Sequence, residues 1–268
     1  MRKLILGSLV AVVAFTLVFA GGRILIEGST TVLPLSQLAA EEYMDGNPGV
    51  NITVKGGGSG VGIASLIDGT CDIADASRPI KDKEIKKALE NGVDPTAHVV
   101  AMDGIAVIVH PKNRVDGLSK DQIKAIYTGD ISYWSEVGGS SKKIVVISRD
   151  SASGTFEIFN KLALDKERVR PDALLNASNR AVATAVSKTP GSIGYVGLGY
   201  VDNSVKAIKV NDIVCSEKTV ASGKYHLARP LFMYTDGKPK GEVKKFVDFV
   251  LSKEGQQLAE QAGYVGLK

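Results

Sequence analysis

The chain has 268 residues, enough for one large domain or two of ordinary size, and 44% of them are hydrophobic, which is sufficient for a real core. A net charge of +4, with no basic stretch interleaved with aromatic residues, gives no indication of nucleic-acid binding. The two cysteines, Cys71 and Cys215, and the three scattered histidines lack metal-ligand spacing, so we expect no metal site and no cofactor. Both cysteines are expected to be free and mostly buried.

The N-terminus has the pattern of an export signal. Arg2 and Lys3 precede an uncharged, mostly apolar stretch from Leu4 to Phe19, and Val18-Phe19-Ala20 resembles a cleavage site. We therefore predict a secretory signal peptide over residues 1–20 and a periplasmic or otherwise extracytoplasmic protein; an uncleaved membrane anchor is the alternative. Cleavage would lower the net charge from +4 to +2, so any affinity for anions has to come from a local site.

The mature chain begins with a strand, a hydroxyl-rich loop and a helix. Arg23–Glu27 is predicted to be a strand, Gly28-Ser29-Thr30-Thr31-Val32 the loop, and the helix runs from Leu33 to Tyr43. Helix capping alone would need only one hydroxyl, and this loop carries three in a row.

Two further strands end in small polar residues. The strand Val50–Val54 leads into a glycine-rich turn that contains Ser59, and a helix is predicted from Val61 to Ile67. A flexible linker is the alternative for that turn. The next strand, within Cys71–Pro79, ends at Ser77, so a hydroxyl again lies at the carboxyl end of a strand.

Two segments are predicted to cross between sheets. The apolar runs Ala97–Met102 and Gly104–His110 are split at Asp103, which indicates a strand that leaves one sheet and enters another. The late strand His226–Tyr234 is predicted to cross back. The alternation of strands with helices predicts an α/β architecture with mainly parallel sheets.

The stretch R-D-S-A-S-G-T-F, from Arg149 to Phe156, lies between a predicted strand and a predicted helix. Ser153 and Thr155 supply hydroxyl donors, Gly154 permits close approach to the backbone, and helix N-termini attract anions. Arg149 adds a planar fork of donors suited to tetrahedral oxyanions and is the only side-chain cation that the sequence places in the site. An ordinary capped helix with an exposed arginine is the alternative.

Six motifs, taken in order along the chain, resemble those of the phosphate-binding proteins of bacterial phosphate ABC importers. They are G-S-T-T-V-x-P-L, G-G-G-S-G, A-S-R-P, L-S-K-D-Q-I-K-A-I-Y-T-G, R-D-S-A-S-G-T-F-E and G-S-I-G-Y-V. The resemblance implies a two-lobed, type II-like periplasmic-binding-protein fold with two crossover hinge strands and phosphate bound in the cleft between the lobes. We expect lobe I to comprise residues 21–103 and 229–268, and lobe II residues 104–228. The resemblance also implies a membrane ABC permease as partner and a monomer that binds no nucleic acid.

The same resemblance, together with the loops above, implies a set of ligand-binding residues, which are Thr30, Thr31, the backbone of Val32, Ser59, Ser77, Arg149, Ser153, Gly154 and Thr155. Where several members of the family have an aspartate that accepts a proton from the ligand, this sequence has Ser77. Asp75 would share the same face of the strand and is the candidate acceptor. If Ser77 were the sole acceptor, sulfate should compete with phosphate at millimolar levels.

Two other functions remain open from the sequence. Another oxyanion, such as sulfate, molybdate, tungstate or a phosphonate, would suit the same helix N-termini. A serine-dependent phosphatase or hydrolase would need a general base close to Ser59 or Ser153, and no histidine lies in a polar loop with an obvious carboxylate partner. We therefore expect a binding protein rather than an enzyme.

Overall fold

The computed structural model describes residues 22–267. The predicted signal peptide, residues 1–20, therefore lies outside the described residues. The strands are β1 (Arg23–Gly28), β2 (Asn51–Gly56), β3 (Ile73–Ala76), β4 (Pro95–Val109), β5 (Gly117–Leu118), β6 (Val145–Arg149), β7 (Leu174–Asn176), β8 (Ser192–Gly197), β9 (Lys206–Ala207), β10 (Lys209–Val210) and β11 (Ala228–Asp236).

The α-helices are α1 (Leu33–Gly46), α2 (Ser59–Ile67), α3 (Asp82–Glu90), α4 (Lys120–Thr128), α5 (Gly154–Ala163), α6 (Asn179–Lys188), α7 (Glu217–Ala221), α8 (Gly241–Leu251) and α9 (Lys253–Gln261). Most begin within two residues of their predicted starts. The helix α2 starts at Ser59, two residues earlier than predicted, because Gly58 adopts a φ of 99° and turns the chain directly into the helix.

The main sheet has the strand order β2-β1-β3-β11-β4-β8-β6-β7, with β9 paired to β4. β1 pairs in parallel with β2 and β3, and β6 pairs in parallel with β7 and β8. The carboxyl ends of β1 and β3 therefore lie at one edge of their half of the sheet, and those of β6 and β8 at one edge of the other half. Ligands in open α/β sheets bind beyond such edges.

The predicted crossing strands are β4 and β11. β4 is one continuous strand of 15 residues: its residues up to Gly104 pair with β11, and those from Ile105 pair with β8. Both long strands run antiparallel to every neighbour they have in the main sheet. The sheet is therefore mixed, and the expectation of mainly parallel sheets is wrong, because the crossing strands themselves complete both halves of the sheet.

The buried apolar side chains form three clusters. One cluster takes all of its buried residues from the range 105–227. The other two take theirs from the ranges 24–101 and 231–264. Along β4 and β11 the buried residues therefore pass from one hydrophobic cluster to another, at about the positions where the sequence predicts the crossings.

Several local predictions can now be compared with the structure. Cys71 and Cys215 are both free and buried, as expected. The sequence also predicts Ser119 as the cap of a helix, and Ser119 caps α4 and forms a capping box with Gln122. It further predicts one strand from Ser204 to Val210, which the structure divides into β9 and β10, paired in different sheets. Within residues 22–267, no helix has the length and apolar character needed to cross a membrane.

Candidate functional site

The N-terminus of α1 follows the hydroxyl-rich loop, as predicted. Gly28 has a φ of 141°, and a side chain there would collide with the backbone carbonyl of Asp75, so only glycine fits. Val32 is the N-cap residue of α1, and no side chain caps this helix. The N–H of Leu33 donates to the carbonyl of Ser29 at 3.0 Å, and Pro34 has no N–H, so side-chain capping is not needed for the first two positions of the helix. Thr31 lies beside this helix start and is almost fully buried.

The N-terminus of α2 lies next to the end of β3. The backbone N–H of Ser77 donates to Ser59 Oγ at 3.0 Å, and the two serine hydroxyl oxygens are 3.3 Å apart. A side chain at Gly154, the first residue of α5, would collide with both hydroxyls. The structure therefore brings Ser59, Ser77 and Gly154 together, although they come from three separate segments of the chain.

The N-terminus of α5 completes the arrangement. Ser153 is its N-cap, and its Oγ accepts a hydrogen bond from the backbone N–H of Phe156 at 3.1 Å. Thr155 Oγ1 lies 2.8 Å from Thr31 Oγ1, across 124 positions of sequence. We call Thr31 and Thr155 the threonine pair. Three helix N-termini thus converge, as the sequence analysis expects.

Arg149 ends β6 and is 2% exposed, so it is not the surface arginine of the alternative interpretation. Its Nε and Nη2 donate to the backbone carbonyls of Asn176 and Ala177, each at 2.9 Å. Its Nη1 has no hydrogen-bond partner within the described chain, and no carboxylate there forms an ion pair with it. Burial lowers the pKa of this guanidinium, which indicates a buried cation without a counter-charge.

A second buried arginine reaches the threonine pair. Arg229 Nη2 lies 3.2 Å from Thr31 Oγ1 and 3.0 Å from Thr155 Oγ1, and it forms an ion pair with Asp103 at 3.0 Å. The expectation that Arg149 is the only cation at the site is therefore wrong. The sequence feature that could have indicated this ion pair is one buried charge in each crossing strand, Asp103 in β4 and Arg229 in β11. The register of the two strands places Arg229 directly opposite Asp103.

Sequence analysis also missed residues that hold the loop before α1. Asn179, the first residue of α6, donates through Nδ2 to Thr30 Oγ1 at 3.1 Å and to Thr31 Oγ1 at 3.0 Å. The hydroxyls of Tyr200 and Tyr264 donate to the backbone carbonyls of Thr30 and Thr31, respectively. These partners lie 148 to 233 positions from the loop, so no local motif could indicate them.

Asp75, the candidate acceptor, is 1% exposed and lies two residues before Ser77. Ser36 Oγ donates to its Oδ2 at 2.6 Å, and its Oδ1 has no hydrogen-bond partner in the described part of the chain. Burial raises the pKa of this carboxyl to about 7, and the hydrogen bond from Ser36 lowers it only in part. Asp75 is thus as fully buried as Ser77, and it keeps one acceptor atom without a donor among the described residues.

Direct contacts join the two sides of the site. The backbone N–H of Gly60 donates to the carbonyl of Ala152 at 3.0 Å. Glu157 Oε1 lies 3.0 Å from Arg78 Nε, and Glu157 Oε2 lies 2.6 Å from Lys81 Nζ. Arg78 is also held by Glu84, at 2.8 Å. The loop before α5 therefore contacts α2 through the backbone, and α5 contacts the segment between β3 and α3 through side chains.

The geometry gives no support to a nucleophilic serine. Among residues 22–267, neither Ser59 nor Ser153 hydrogen-bonds to a histidine, since His98 contacts Thr235 and His110 accepts from the backbone of Lys112. The same residues contain no cluster of histidine, cysteine and acidic side chains that could hold a metal.

Comparison with known proteins places this geometry in a family. The model of the PBP superfamily domain matches residues 19–254. The phosphate-binding protein PstS of Bacillus subtilis is 34% identical over 251 residues, covering 92% of this chain and 81% of that protein. The PstS of Staphylococcus aureus strain RF122 is 36% identical over 253 residues, covering 89% and 76%.

Solved structures agree with the sequence relatives. A Clostridium perfringens protein described as a phosphate ABC transporter substrate-binding protein with bound phosphate has a TM-score of 0.86 and 33% identity, covering 92% of this chain and all of that one. An ABC-type phosphate transport receptor from Vibrio cholerae has a TM-score of 0.74 and 32% identity, covering 91% of this chain and all of that one. The predicted two-lobed periplasmic-binding-protein fold is therefore confirmed.

Proposed function

Because this chain belongs to the PstS family of phosphate-binding proteins within the PBP superfamily, we propose that it captures inorganic phosphate between two lobes and delivers it to a membrane ABC permease. Members of this family are substrate-binding proteins and not enzymes. The names of its relatives give phosphate as the ligand and an ABC transporter as the partner, and this site has the chemistry that such a ligand needs.

The observation that carries the proposal is the state of Arg149. A buried cation is costly unless a counter-charge or several hydrogen bonds compensate it. The partners of Arg149 in the described chain are two backbone carbonyls, and Nη1 stays free beside a site built from three helix N-termini. A small oxyanion would supply the missing negative charge and an acceptor for that free N–H.

The remaining ligand contacts are proposed from the loops that converge. Backbone N–H groups at the start of α1 and α5 would donate to the anion, together with hydroxyls from both sides of the cleft. The proposed contacts are those named from the sequence, namely Thr30, Thr31, Val32, Ser59, Ser77, Arg149, Ser153, Gly154 and Thr155. Asp75 is proposed as the acceptor for the proton of the phosphate, because its Oδ1 lacks a donor.

The lobe boundaries are likewise proposed: residues 21–103 with 229–268 form lobe I, and residues 104–228 form lobe II. The separation of the hydrophobic clusters near residues 101–105 and 227–231 supports this division, although β4 connects the two halves of the sheet by backbone hydrogen bonds. A ligand that contacts both lobes binds the closed arrangement better and shifts the population towards it. Small-angle scattering should then show a smaller radius of gyration with phosphate than without it.

We further propose that residues 1–20 direct export, that the protein acts as a monomer, and that it works outside the cytoplasm. The supporting observations are the basic and apolar pattern of the N-terminus and the substrate-binding relatives. Mass spectrometry of the protein recovered from cells would test the signal: a mature chain beginning at Gly21 or Gly22 supports cleavage, and a chain that retains residues 1–20 contradicts it.

Calorimetric titration with phosphate, sulfate and molybdate tests the ligand. We expect tight binding of phosphate at neutral pH and weak or no binding of the other two, because a carboxylate acceptor faces a bare oxygen when sulfate binds, and that is unfavourable. If sulfate or molybdate bound more tightly than phosphate, that anion and not phosphate would be the ligand of this protein. Incubation with a phosphate monoester is the control for catalysis, and turnover would contradict a function limited to binding.

Sulfate competition can also test Asp75. If Asp75 is the acceptor, Asp75→Asn should admit sulfate at millimolar concentrations at which the wild-type protein rejects it. Ser77→Ala serves as the matched variant at the neighbouring position, because serine can either donate or accept and discriminates less. Rejection of sulfate that survives in Asp75→Asn and is lost in Ser77→Ala would transfer the role to Ser77.

A further inference from the structure

We infer that Asn179 and Arg229 orient the hydroxyls of the threonine pair, so that the pair presents one donor, the hydroxyl hydrogen of Thr155, and no acceptor to the bound anion. The inference rests on the proposed function, since it explains how the same site recognises an oxygen without a proton. In this view Asn179 and Arg229 are positioning residues behind the threonine pair, and neither has to touch the ligand.

The orientation of the Asn179 amide is fixed by its second contact. The backbone N–H of Gly197 points at Asn179 Oδ1 at 3.1 Å, and a backbone N–H can only donate. The oxygen therefore faces Gly197, and Nδ2 faces the hydroxyls of Thr30 and Thr31 at 3.1 and 3.0 Å. Since Asn179 is fully buried, water does not compete for these contacts. Thr31 Oγ1 thus accepts one hydrogen bond from Asn179.

Arg229 supplies the second donor. A guanidinium has only donors, and Nη2 carries two hydrogens. Asp103 Oδ2 lies 3.0 Å from Nη2 and 3.2 Å from Nε, so one hydrogen of Nη2 is directed at the carboxylate. The other hydrogen remains for the threonine pair, whose oxygens lie 3.2 and 3.0 Å away and share it.

The protons can now be counted. Thr31 Oγ1 accepts from Asn179 and from Arg229, which occupies both of its acceptor positions. Its own hydrogen must therefore be the donor in the 2.8 Å contact with Thr155 Oγ1. Thr155 then accepts from Thr31 and from Arg229, so its hydrogen points away from both. Neither hydroxyl retains a free acceptor position.

This count has a consequence for recognition. An oxygen of the ligand that reaches the threonine pair meets the hydroxyl hydrogen of Thr155 and no acceptor, so it has to be a deprotonated oxygen. The protonated oxygen of phosphate must lie elsewhere in the site. Hydroxyls that are already oriented also lose less rotational freedom when the anion binds, which increases affinity.

A double-mutant cycle on phosphate affinity tests the role of Asn179. Asn179→Leu should weaken phosphate binding about tenfold in the wild-type background and less than about threefold in a Thr31→Val background, where the Thr31 hydroxyl that Asn179 orients is absent. A residue that only stabilises the fold would cost the same factor in both backgrounds. Melting temperatures without phosphate, measured on all four proteins, identify any general loss of folding.

A second cycle uses Arg229 and remains informative if Asn179→Leu does not fold. Arg229→Lys keeps the positive charge beside Asp103 but loses the fork that serves both hydroxyls. We expect it to weaken phosphate binding severalfold, with most of that loss absent in a Thr155→Val background. Arg170→Lys is the matched control, because the side chain of Arg170 is 9% exposed and forms an ion pair with Asp172, outside the site, so this variant should leave the affinity unchanged.

The outcomes separate the inference from the proposed function. Absence of phosphate binding by the wild-type protein would overturn the proposed function, and the inference would fall with it. The inference alone would be overturned if the wild-type protein binds phosphate and the losses of phosphate affinity in both cycles are independent of the threonine background. Coupled losses in either cycle support the orientation of the threonine pair.

Discussion

The two buried arginines at the site have opposite surroundings. Arg229 forms an ion pair with Asp103 and donates to the backbone carbonyl of Ser77 and to the threonine pair. Arg149 is equally buried but has only backbone carbonyls as partners and keeps one nitrogen free among the described residues. The comparison shows that one cation is neutralised within the framework of the protein, whereas the other has no counter-charge among the described residues.

The largest expected effect is on folding, at the neutralised arginine. Arg229→Met should lower the free energy of unfolding by about 3–5 kcal/mol, because it leaves the buried carboxylate of Asp103 without its counter-charge. Urea denaturation without phosphate measures this loss. Asp103→Asn combined with Arg229→Met should recover part of it. A double variant as unstable as the single one would mean that the loss comes from packing and not from the unpaired charge.

The next effect is on binding, at the arginine without a counter-charge. Arg149→Met should weaken phosphate binding by about 2–5 kcal/mol, the usual cost of truncating one partner of a buried charged pair. Without phosphate it should be clearly less destabilising than Arg229→Met, because no buried carboxylate is left unpaired. Lys83→Met, on the exposed face of α3, is the control and should change neither quantity. Equal affinities for the Arg149 and Lys83 variants would contradict the assignment.

The sequence predicted the role of one of these two arginines and not of the other, because the partners of the second lie far away along the chain. Arg149 was identified because Ser153, Gly154 and Thr155 follow it within one local motif, and the strand and helix around them have clear periodicities. Arg229 was placed only as part of a crossing strand. Its partner Asp103 is 126 positions away, and the pairing depends on the register of two antiparallel strands, which composition does not determine.

The same reasoning explains the other differences. The glycine-rich turn before α2 was placed correctly because glycine and serine at the end of a strand have local meaning, whereas Asn179 and Tyr264 contact the threonine loop only through the tertiary fold. The strand predicted over residues 204–210 failed because β9 and β10 alternate between two partner strands, β4 and β5. A periodicity within one segment cannot show a change of partner.

A third buried charge, Asp75, extends the comparison to pH. The folded protein raises the pKa of this carboxyl to about 7, above its usual value near 3.8, so the folded state holds a proton that the unfolded state has released. Stability without phosphate should therefore fall as pH rises from about 4 through about 7. Asp75→Asn removes this cost: it should be more stable than the wild type at pH 8, with a smaller difference at pH 4. Urea midpoints at the two pH values measure this, and parallel profiles would rule Asp75 out as the source.

The smallest expected effect is at Glu157, where the charges are partly exposed. Glu157→Gln removes its ion pairs with Arg78 and Lys81, but Arg78 remains paired with Glu84, and Lys81 is 39% exposed. Such pairs are worth at most about 1 kcal/mol, so phosphate affinity should fall less than about fivefold. Asp248→Asn breaks a comparable surface pair on α8 and should leave affinity unchanged. A loss as large as that of Arg149→Met would show that this contact, and not the anion, dominates closure.

The hydrogen bond from the Gly60 amide to the Ala152 carbonyl allows closure of the two lobes to be measured by hydrogen exchange. Both partners belong to the backbone, so no side-chain substitution removes the contact directly, and a side chain at the neighbouring Gly58 would collide with the carbonyl of Ala152. If the lobes separate as proposed, this amide becomes exposed and its hydrogen can exchange with deuterium from the solvent. Its exchange rate relative to amides inside α2 would therefore report how often the free protein opens, and phosphate should slow that exchange while leaving the interior of the helix unchanged.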